Sequence, residues 1–597
     1  MFVVLALALV GSEELAGFEV STATSADVDE LPLSAEDVAL IDALGTSTSS
    51  PAASAPRAAL RLERDLFDRI EHDLVGDTVA PVGFWALAFE GRGKAPIELD
   101  GLSVDSPLDT AADGSLSTLL DPGIISGLAV EKSTARGLLS LRSHEATEGA
   151  HVRGGVIGRS ADRSATARLA AELGAKSIGV LGVGSISKEN NLRMGPGQNV
   201  PSVIRRESAS LRARLLDPEE KPVSIGVGFD FAKARAIVRT DLPIEFDQDA
   251  QPKPLPTEDL TRVRAFATVV LDGALEGHLG LGWTGDHRDR VGGQNGADQL
   301  ELNGQLELPI DSARFGITGR AHVATTSYQG RRGESSSMAF GGLASLSLGA
   351  LKLSLDTGAE VCDVLVFDRA TATLDPSPFV RFSLLAALDP LELELGFYDE
   401  AAPLTLRELD ELARSVSVER VRTGRARARV HSSTLDLELT GFLSTASDAI
   451  IARTEIVEWL ESVTVRGVSA SVALRAGPVE ARGAAVLSKM SGPDFDDGSW
   501  VRPIASIRYW DNDQTDFMEL FVDGSVALAG SDSTIDSPLR GLWSFTRVGA
   551  RGRFELGLGF GVELELRNLL DGSVIVRHGR VPQPGVDVLL GLSFSER

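Results

Sequence analysis

From about residue 150 onward the chain alternates apolar and polar positions. Leu435-Asp436-Leu437-Glu438-Leu439-Thr440 is one such stretch, and Leu391-Glu392-Leu393-Glu394-Leu395 is another. Leu300-Glu301-Leu302-Asn303-Gly304-Gln305-Leu306-Glu307-Leu308 and Val562-Glu563-Leu564-Glu565-Leu566 repeat it. A period of two places successive side chains on opposite faces of a sheet, so these stretches predict strands. A strand with leucines on one face and carboxylates on the other needs an apolar medium on one side and a polar one on the other. The connections between stretches are of two kinds: short turn signals such as Asp389-Pro390, and long polar segments, Asp286 to Asp298 and Ser491 to Ser499, which are expected to be loops. Short turns at one end and long loops at the other are the habit of a membrane barrel, whereas a soluble sandwich has no reason for the asymmetry. Dividing roughly 450 residues by about 20 per strand and connection gives on the order of 22 strands, too many for one sandwich. The predicted class is therefore all-β, a large antiparallel transmembrane β-barrel over residues 150–597, whose closure also removes sticky edges.

The pattern changes in the first quarter of the chain. Residues 58–145 read as a small separate domain, opening with Leu60, Leu62, Leu66, Phe67 and Ile70, whose spacing predicts a short amphipathic helix from Ala58 to about Leu74. Residues 15–57 are rich in Ser, Thr, Ala, Pro and Asp and read as a disordered tether. Residues 1–14 hold one apolar run, Phe2 to Val10, of the length of an export signal's core but without a basic start, so they are expected to be a signal-like segment whose beginning is truncated.

Composition narrows the function. Lys+Arg 58 against Asp+Glu 85 gives a net charge of −27, the wrong sign for a protein that follows a phosphate backbone, so no nucleic-acid partner is expected. The lone Cys362 cannot close an intrachain disulfide and reads as a packed small apolar residue. No apolar run approaches the roughly 18 residues of a spanning helix, which excludes a helical membrane protein.

Catalytic strings fail on context. Gly280-Leu281-Gly282-Trp283-Thr284-Gly285 spells a dinucleotide-type G-x-G-x-x-G, but it lies in an alternating strand and not between a strand and a helix. Ser185-Ile186-Ser187-Lys188 matches S-x-x-K without its partner motifs and reads as a strand end. The acidic runs Asp494 to Gly498 and Asp511 to Asp516 offer hard oxygen ligands but not the complete twelve-residue calcium loop, so they read as solvated loops. No enzyme, resident metal or cofactor is expected.

Several segments, in order, resemble the TonB-dependent receptor family of outer-membrane transporters, over most of residues 84 to 594. Phe89-Glu90-Gly91-Arg92-Gly93 followed by Pro96-Ile97-Glu98-Leu99-Asp100-Gly101-Leu102-Ser103-Val104 is similar to the family's plug motif, with Gly91, Arg92, Gly93, Asp100 and Gly101 at its marked positions. Asp-Gly suits a tight hairpin because both residues tolerate positive φ. Gly123 to Lys132 resembles the plug segment in which a short helix leads into a strand, and Gly137 to Arg142 resembles the last plug strand. In the barrel, Leu395 to Leu409, Leu437 to Ile451 and Thr464 to Ser469 resemble strand and loop passages of the family. Asn568, Leu569, Asp571, Pro584, Gly585 and Phe594 resemble the signature of its last strands. Departures are a shortened plug, Glu90 and Ser469 at positions where the family has Arg and Glu, three residues after Phe594, and only 23 Phe, 6 Trp and 3 Tyr for the aromatic girdles.

The resemblance implies a divergent receptor with a small α+β plug-like domain in the lumen of a barrel of about 22 strands. It would sit as a monomer in the outer-membrane lipid of a Gram-negative bacterium and import a scarce ligand: a metal chelate, a corrinoid or an oligosaccharide. It implies too a TonB-type periplasmic partner, reached by adding a strand to that partner's sheet. Phe18, Glu19, Val20, Ser21 and Thr22 are the best match to such an energy-coupling segment. Two other classes fit the same residues: a non-transporting structural or adhesive outer-membrane barrel, and a secreted soluble β protein.

Overall fold

The computed structural model describes residues 58–60, 97–104, 124–131 and, with breaks at several connections and strand ends, 138–596. Twenty-two long antiparallel strands close into one barrel, each paired with its sequence neighbour, from Gly149–Arg159 to the last strand, Asp587–Glu596. The last strand returns to the first, with Leu592 opposite Val156 and Phe594 opposite Gly154. Ser160 fastens this seam: its backbone N–H donates to the Val588 carbonyl at 3.0 Å, and its Oγ accepts from the Val588 N–H at 2.8 Å. Closure satisfies every ladder, which is the condition for a sheet to live in lipid.

The burial pattern is inverted relative to a soluble protein. In Leu435–Ala452, Leu437 is 44% and Leu439 50% exposed, while Asp436 and Thr440 are 9% and 4%. The same reversal holds in Gly293–Ile310, where Leu300 and Leu302 are exposed and Gln299, Glu301, Gln305 and Glu307 are buried. Water would not tolerate so many bare leucines on one surface, so the outer face is built for hydrocarbon and the lumen holds the charge. Among the described residues no helix is long and apolar enough to cross a membrane; this chain crosses with strands.

The two rims differ. One is closed by tight turns, among them residues 311–312, 349–350, 477–478 and 558–559. The other carries connections 239–256, 404–417 and 528–544. Two segments expected to be long loops are not loops: Asp286 to Asp298 spans the paired strands Glu276–Arg290 and Gly293–Ile310, and Ser491 to Ser499 spans Val479–Gly492 and Phe495–Trp510. Their polarity marks ladder that continues above the apolar belt into water, on the long-connection side, and the strand period there is carried by side chains that are polar on both faces.

A second sheet lies in the lumen, built from Ala58–Leu60, Ile125–Glu131, Leu138–Ser143, Ile97–Leu99 and Leu102–Ser103 in that spatial order. Ala58–Leu60 pairs antiparallel with Leu128 to Val130, which corrects the helix expected to start at Ala58: the first three residues complete a sheet edge. The rest of that expected helix lies outside the described residues, and those described in the inner sheet are strands and turns. The signal-like segment, the tether and residues Phe18 to Thr22 also lie outside them.

Candidate functional site

The candidate site is the place where the inner sheet meets the barrel wall. Ile97–Leu99 and Leu102–Ser103 form a hairpin whose two turn residues, Asp100 and Gly101, have φ of 55° and 78°. Positive φ at both positions is the geometry of the tight turn that twists with its strands, and Asp-Gly supplies it at little cost. The Asp100 carboxylate accepts from the Ser143 backbone N–H at 2.9 Å, prolonging the parallel pairing of Ile97–Leu99 with Leu139 to Leu141.

So short a hairpin leaves backbone groups without sheet partners, and buried polar backbone must find others. Two barrel strands provide them, and two neighbouring strands complete the seat. From Thr257–Leu271, the Arg262 guanidinium donates to the Val104 carbonyl at 3.0 Å, and Arg264 donates to the carbonyls of Leu99 and Leu102, both at 3.2 Å. From Gly293–Ile310, Asn303 Nδ2 donates to the Gly101 carbonyl at 2.7 Å, and Glu301 Oε2 accepts from the Ser103 N–H at 2.9 Å. From Ala313–Tyr328, Arg320 bridges Glu301 at 2.9 Å and Glu98 of the hairpin at 3.5 Å. From Glu276–Arg290, Gly280 and Gly282 make the hollow that takes the Leu102 side chain: a Cβ on either would stand 3.1 or 3.3 Å from a Leu102 methyl carbon. Leu99 and Leu102 are among the most deeply buried side chains described.

Charge in this wall is compensated locally. Asp286 Oδ2 accepts from both Arg262, at 3.0 Å, and Arg288, at 3.2 Å. Arg212 pairs with Asp230 at 2.7 Å, and the guanidiniums of Arg212 and Arg264 lie 4.7 and 4.8 Å from the Phe266 ring centre. Farther round, Arg427 lies among Glu392, Glu394 and Glu438 at 3.2 to 3.5 Å. Behind the inner sheet's last strand, His144 lies 3.1 Å from Glu172 of the wall, which also binds Arg153. A water-facing lumen of this kind grips by many hydrogen bonds that are individually modest and jointly geometric.

Of the residues singled out in the sequence, Asp100 and Gly101 form the hairpin turn in this seat, whereas Gly91, Arg92 and Gly93 lie outside the described residues. Asn568 and Asp571, with φ of 48° and 50°, make a turn at the end of Phe560–Arg567, where the Asp571 N–H donates to the Asn568 carbonyl and its carboxylate accepts from the Val586 N–H. Leu569 in that turn is exposed, and Pro584 and Gly585 are outside the described residues. Phe594 is in the last strand, its ring 4.9 Å from that of Phe560 at the short-turn rim. These late residues are remote from the hairpin seat.

The string Gly280 to Gly285 proves to be a strand whose first two glycines receive Leu102, and Ser185 hydrogen-bonds Ser208 across a ladder. Asp511 and Asp516 use their carboxylates on the backbone N–H groups of Asp516 and Glu555. Among the described residues no group of three or more His, Cys, Asp or Glu is placed to hold a metal. The sequence pointed to none of Arg262, Arg264 and Arg320, and to Glu301 and Asn303 only as the polar face of an alternating strand. The available signal was their position: charged or amide side chains on the lumenal face of otherwise ordinary alternating strands.

Barrel, inverted burial and lumenal sheet together define the class: an outer-membrane-type β-barrel of 22 strands with a sheet inside it. No family model and no curated protein matches the chain. Solved structures do. The FrpB iron transporter from Neisseria meningitidis (F3-3 variant) matches with a TM-score of 0.68 and 13% identity, over 84% of this chain and 92% of that one. A mutant of the ferric enterobactin receptor PfeA from Pseudomonas aeruginosa matches with a TM-score of 0.70 and 11% identity, over 93% of this chain and 99% of that one. The siderophore receptor PirA from Acinetobacter baumannii matches with a TM-score of 0.69 and 11% identity, over 93% and 99%. The chain shares the fold of this iron transporter and these ferric enterobactin and siderophore receptors over 84 to 93% of its length.

Proposed function

We propose that this protein is an outer-membrane importer of the TonB-dependent receptor type, with the lumenal sheet acting as its plug. The observation that carries the reading is the hairpin from Ile97 to Ser103 held against the barrel wall by backbone hydrogen bonds to Arg262, Arg264, Glu301 and Asn303. A structural barrel needs no sheet in its lumen. A gated one needs a body that is held precisely and can be let go. Hydrogen bonds and ion pairs suit that purpose because they fix a geometry and can be exchanged for hydrogen bonds to water once water enters the lumen.

On this reading a scarce ligand is bound on the long-connection side, and the inner sheet shifts to let it pass. Work for the shift is supplied from the short-turn side, through the extended segment Phe18 to Thr22 and a periplasmic partner. The protein performs no covalent chemistry. Metal chelates, corrinoids and oligosaccharides all fit the scheme. Since the similar structures are an iron transporter, a ferric enterobactin receptor and a siderophore receptor, ferric chelates are the first compounds to test.

The test is growth and radiolabelled uptake on a panel of ferric chelates, corrinoids and glycans, in strains with and without the gene. Uptake of one class that depends on the gene is the expected result. Equal growth and accumulation on all of them would overturn import and leave a structural barrel.

A further inference from the structure

Cross-strand neighbours on the outer face of a sheet are normally apolar or of opposite charge, because like charges directly opposite destabilise the ladder. One row breaks that rule. Arg205, at the long-connection end of Arg205–Leu215, stands opposite Lys188 of Ile178–Lys188 on one side and Arg235 of Val223–Val238 on the other. All three are exposed and belong to the outward face, as do Ile186, Leu211, Leu215, Phe229 and Val227 beneath them. Glu207, one step below, faces Lys233, and Asp259 on the next strand flanks the row near Arg235; neither separates the three cations.

Height gives the row its meaning. Leu215 lies at the short-turn end and Arg205 ten residues above it. At about 3.3 Å per residue and a tilt of about 40° this is roughly 25 Å of vertical rise, the height of the apolar band of a membrane barrel. The cations therefore stand at the outer headgroup layer.

We infer that the row Lys188, Arg205 and Arg235 is a binding site for the phosphate groups of an outer-leaflet lipid. A phosphate offers several acceptor oxygens to guanidinium forks, and its charge relieves the repulsion that the register builds in. The lipid's acyl chains lie along the leucine belt directly below, so one molecule satisfies both parts of the surface. Free phosphate has only the first.

The test uses the full chain purified in detergent and native mass spectrometry with diphosphorylated lipid A and its dephosphorylated form. The protein is expected to retain the phosphorylated lipid selectively. The triple variant Lys188→Gln, Arg205→Gln, Arg235→Gln should bind it more weakly by about fivefold per cation removed, and Arg205→Gln alone by about fivefold. Arg332→Gln, an exposed cation on the same rim already paired with Glu334, should leave binding unchanged. Folding of each variant is checked by the mobility shift of unheated protein on boiling. Equal retention of the dephosphorylated lipid by the unaltered protein, or unchanged binding by folded Arg205→Gln, would overturn the site. Displacement of the lipid by an equal concentration of inorganic phosphate would overturn the lipid assignment.

Discussion

A Leu102 methyl carbon of the inner hairpin lies 3.1 Å from the point where a Cβ on Gly280 of the barrel wall would stand. The contact is tighter than ordinary packing, so even an alanine at Gly280 requires the Leu102 side chain to give by a few tenths of an ångström, and a larger side chain requires the hairpin to move. Gly280→Val is expected to lift the hairpin from its seat while the barrel stays closed. Leu102→Ala should weaken the seat by about 2–5 kcal/mol, the range for emptying a packed leucine site. The check is hydrogen exchange of the amides of Leu138–Ser143, together with the boiling shift. Faster exchange in the inner sheet with an unaltered shift is expected; unchanged exchange would mean that Leu102 is not an anchor.

The barrel was legible because period two and the leucine and carboxylate faces are written locally, as in Leu435 to Thr440. What failed were Asp286 to Asp298 and Ser491 to Ser499, whose strands run above the apolar belt and lose the alternation that identified the rest. The hairpin turn at Asp100-Gly101 could be read because its φ requirement is local. Its seat could not, since Leu102 meets Gly280, on the seventh barrel strand in chain order, only once the barrel stands round the inner sheet. The one trace was the glycine pattern from Gly280 to Gly285, which records a close approach and no nucleotide.

The leucine faces are the lipid faces. Leu437 is exposed on the outer surface, and Glu438 reaches Arg427 across the lumenal face at 3.5 Å. Leu439→Arg, on the same outer face and four residues in from the short-turn end, nearer the midplane, should cost roughly 2–4 kcal/mol. Glu438→Gln should cost much less, because Arg427 keeps Glu392 and Glu394. Urea titration of refolding into lipid vesicles measures both. Equal costs would refute the assignment of faces.

Phe594 packs against Phe560 as a tilted ring pair at the short-turn rim and sits in the seam strand that closes the barrel. Phe594→Ala is expected to lower the yield of folded barrel in membranes by removing that ring pair, worth about 0.5–1.5 kcal/mol beyond area burial. Deleting Ser595 to Arg597 should do less harm, although Ser595 and Glu596 pair with Arg153 and Val152, because the ladder from Leu589 to Phe594 remains. Quantifying heat-shifting protein in membrane fractions compares the two. A deletion more damaging than the alanine would show that ladder length, and not the aromatic pair, secures the seam.

Energy coupling, if it runs through Phe18 to Thr22, makes a prediction that separates binding from transport. Adding a strand to a partner's sheet requires backbone N–H donors in register, and proline has none. Val20→Pro is expected to abolish accumulation of whichever compound the growth panel identifies, while its equilibrium binding to whole cells changes by less than about twofold, since the vestibule residues are untouched. The hairpin seat at Leu102 should keep its slow exchange in this variant, because nothing pulls on the inner sheet from below. Binding and uptake lost together would place residue 20 in folding or export. Uptake retained in full would assign the coupling to another segment of the chain.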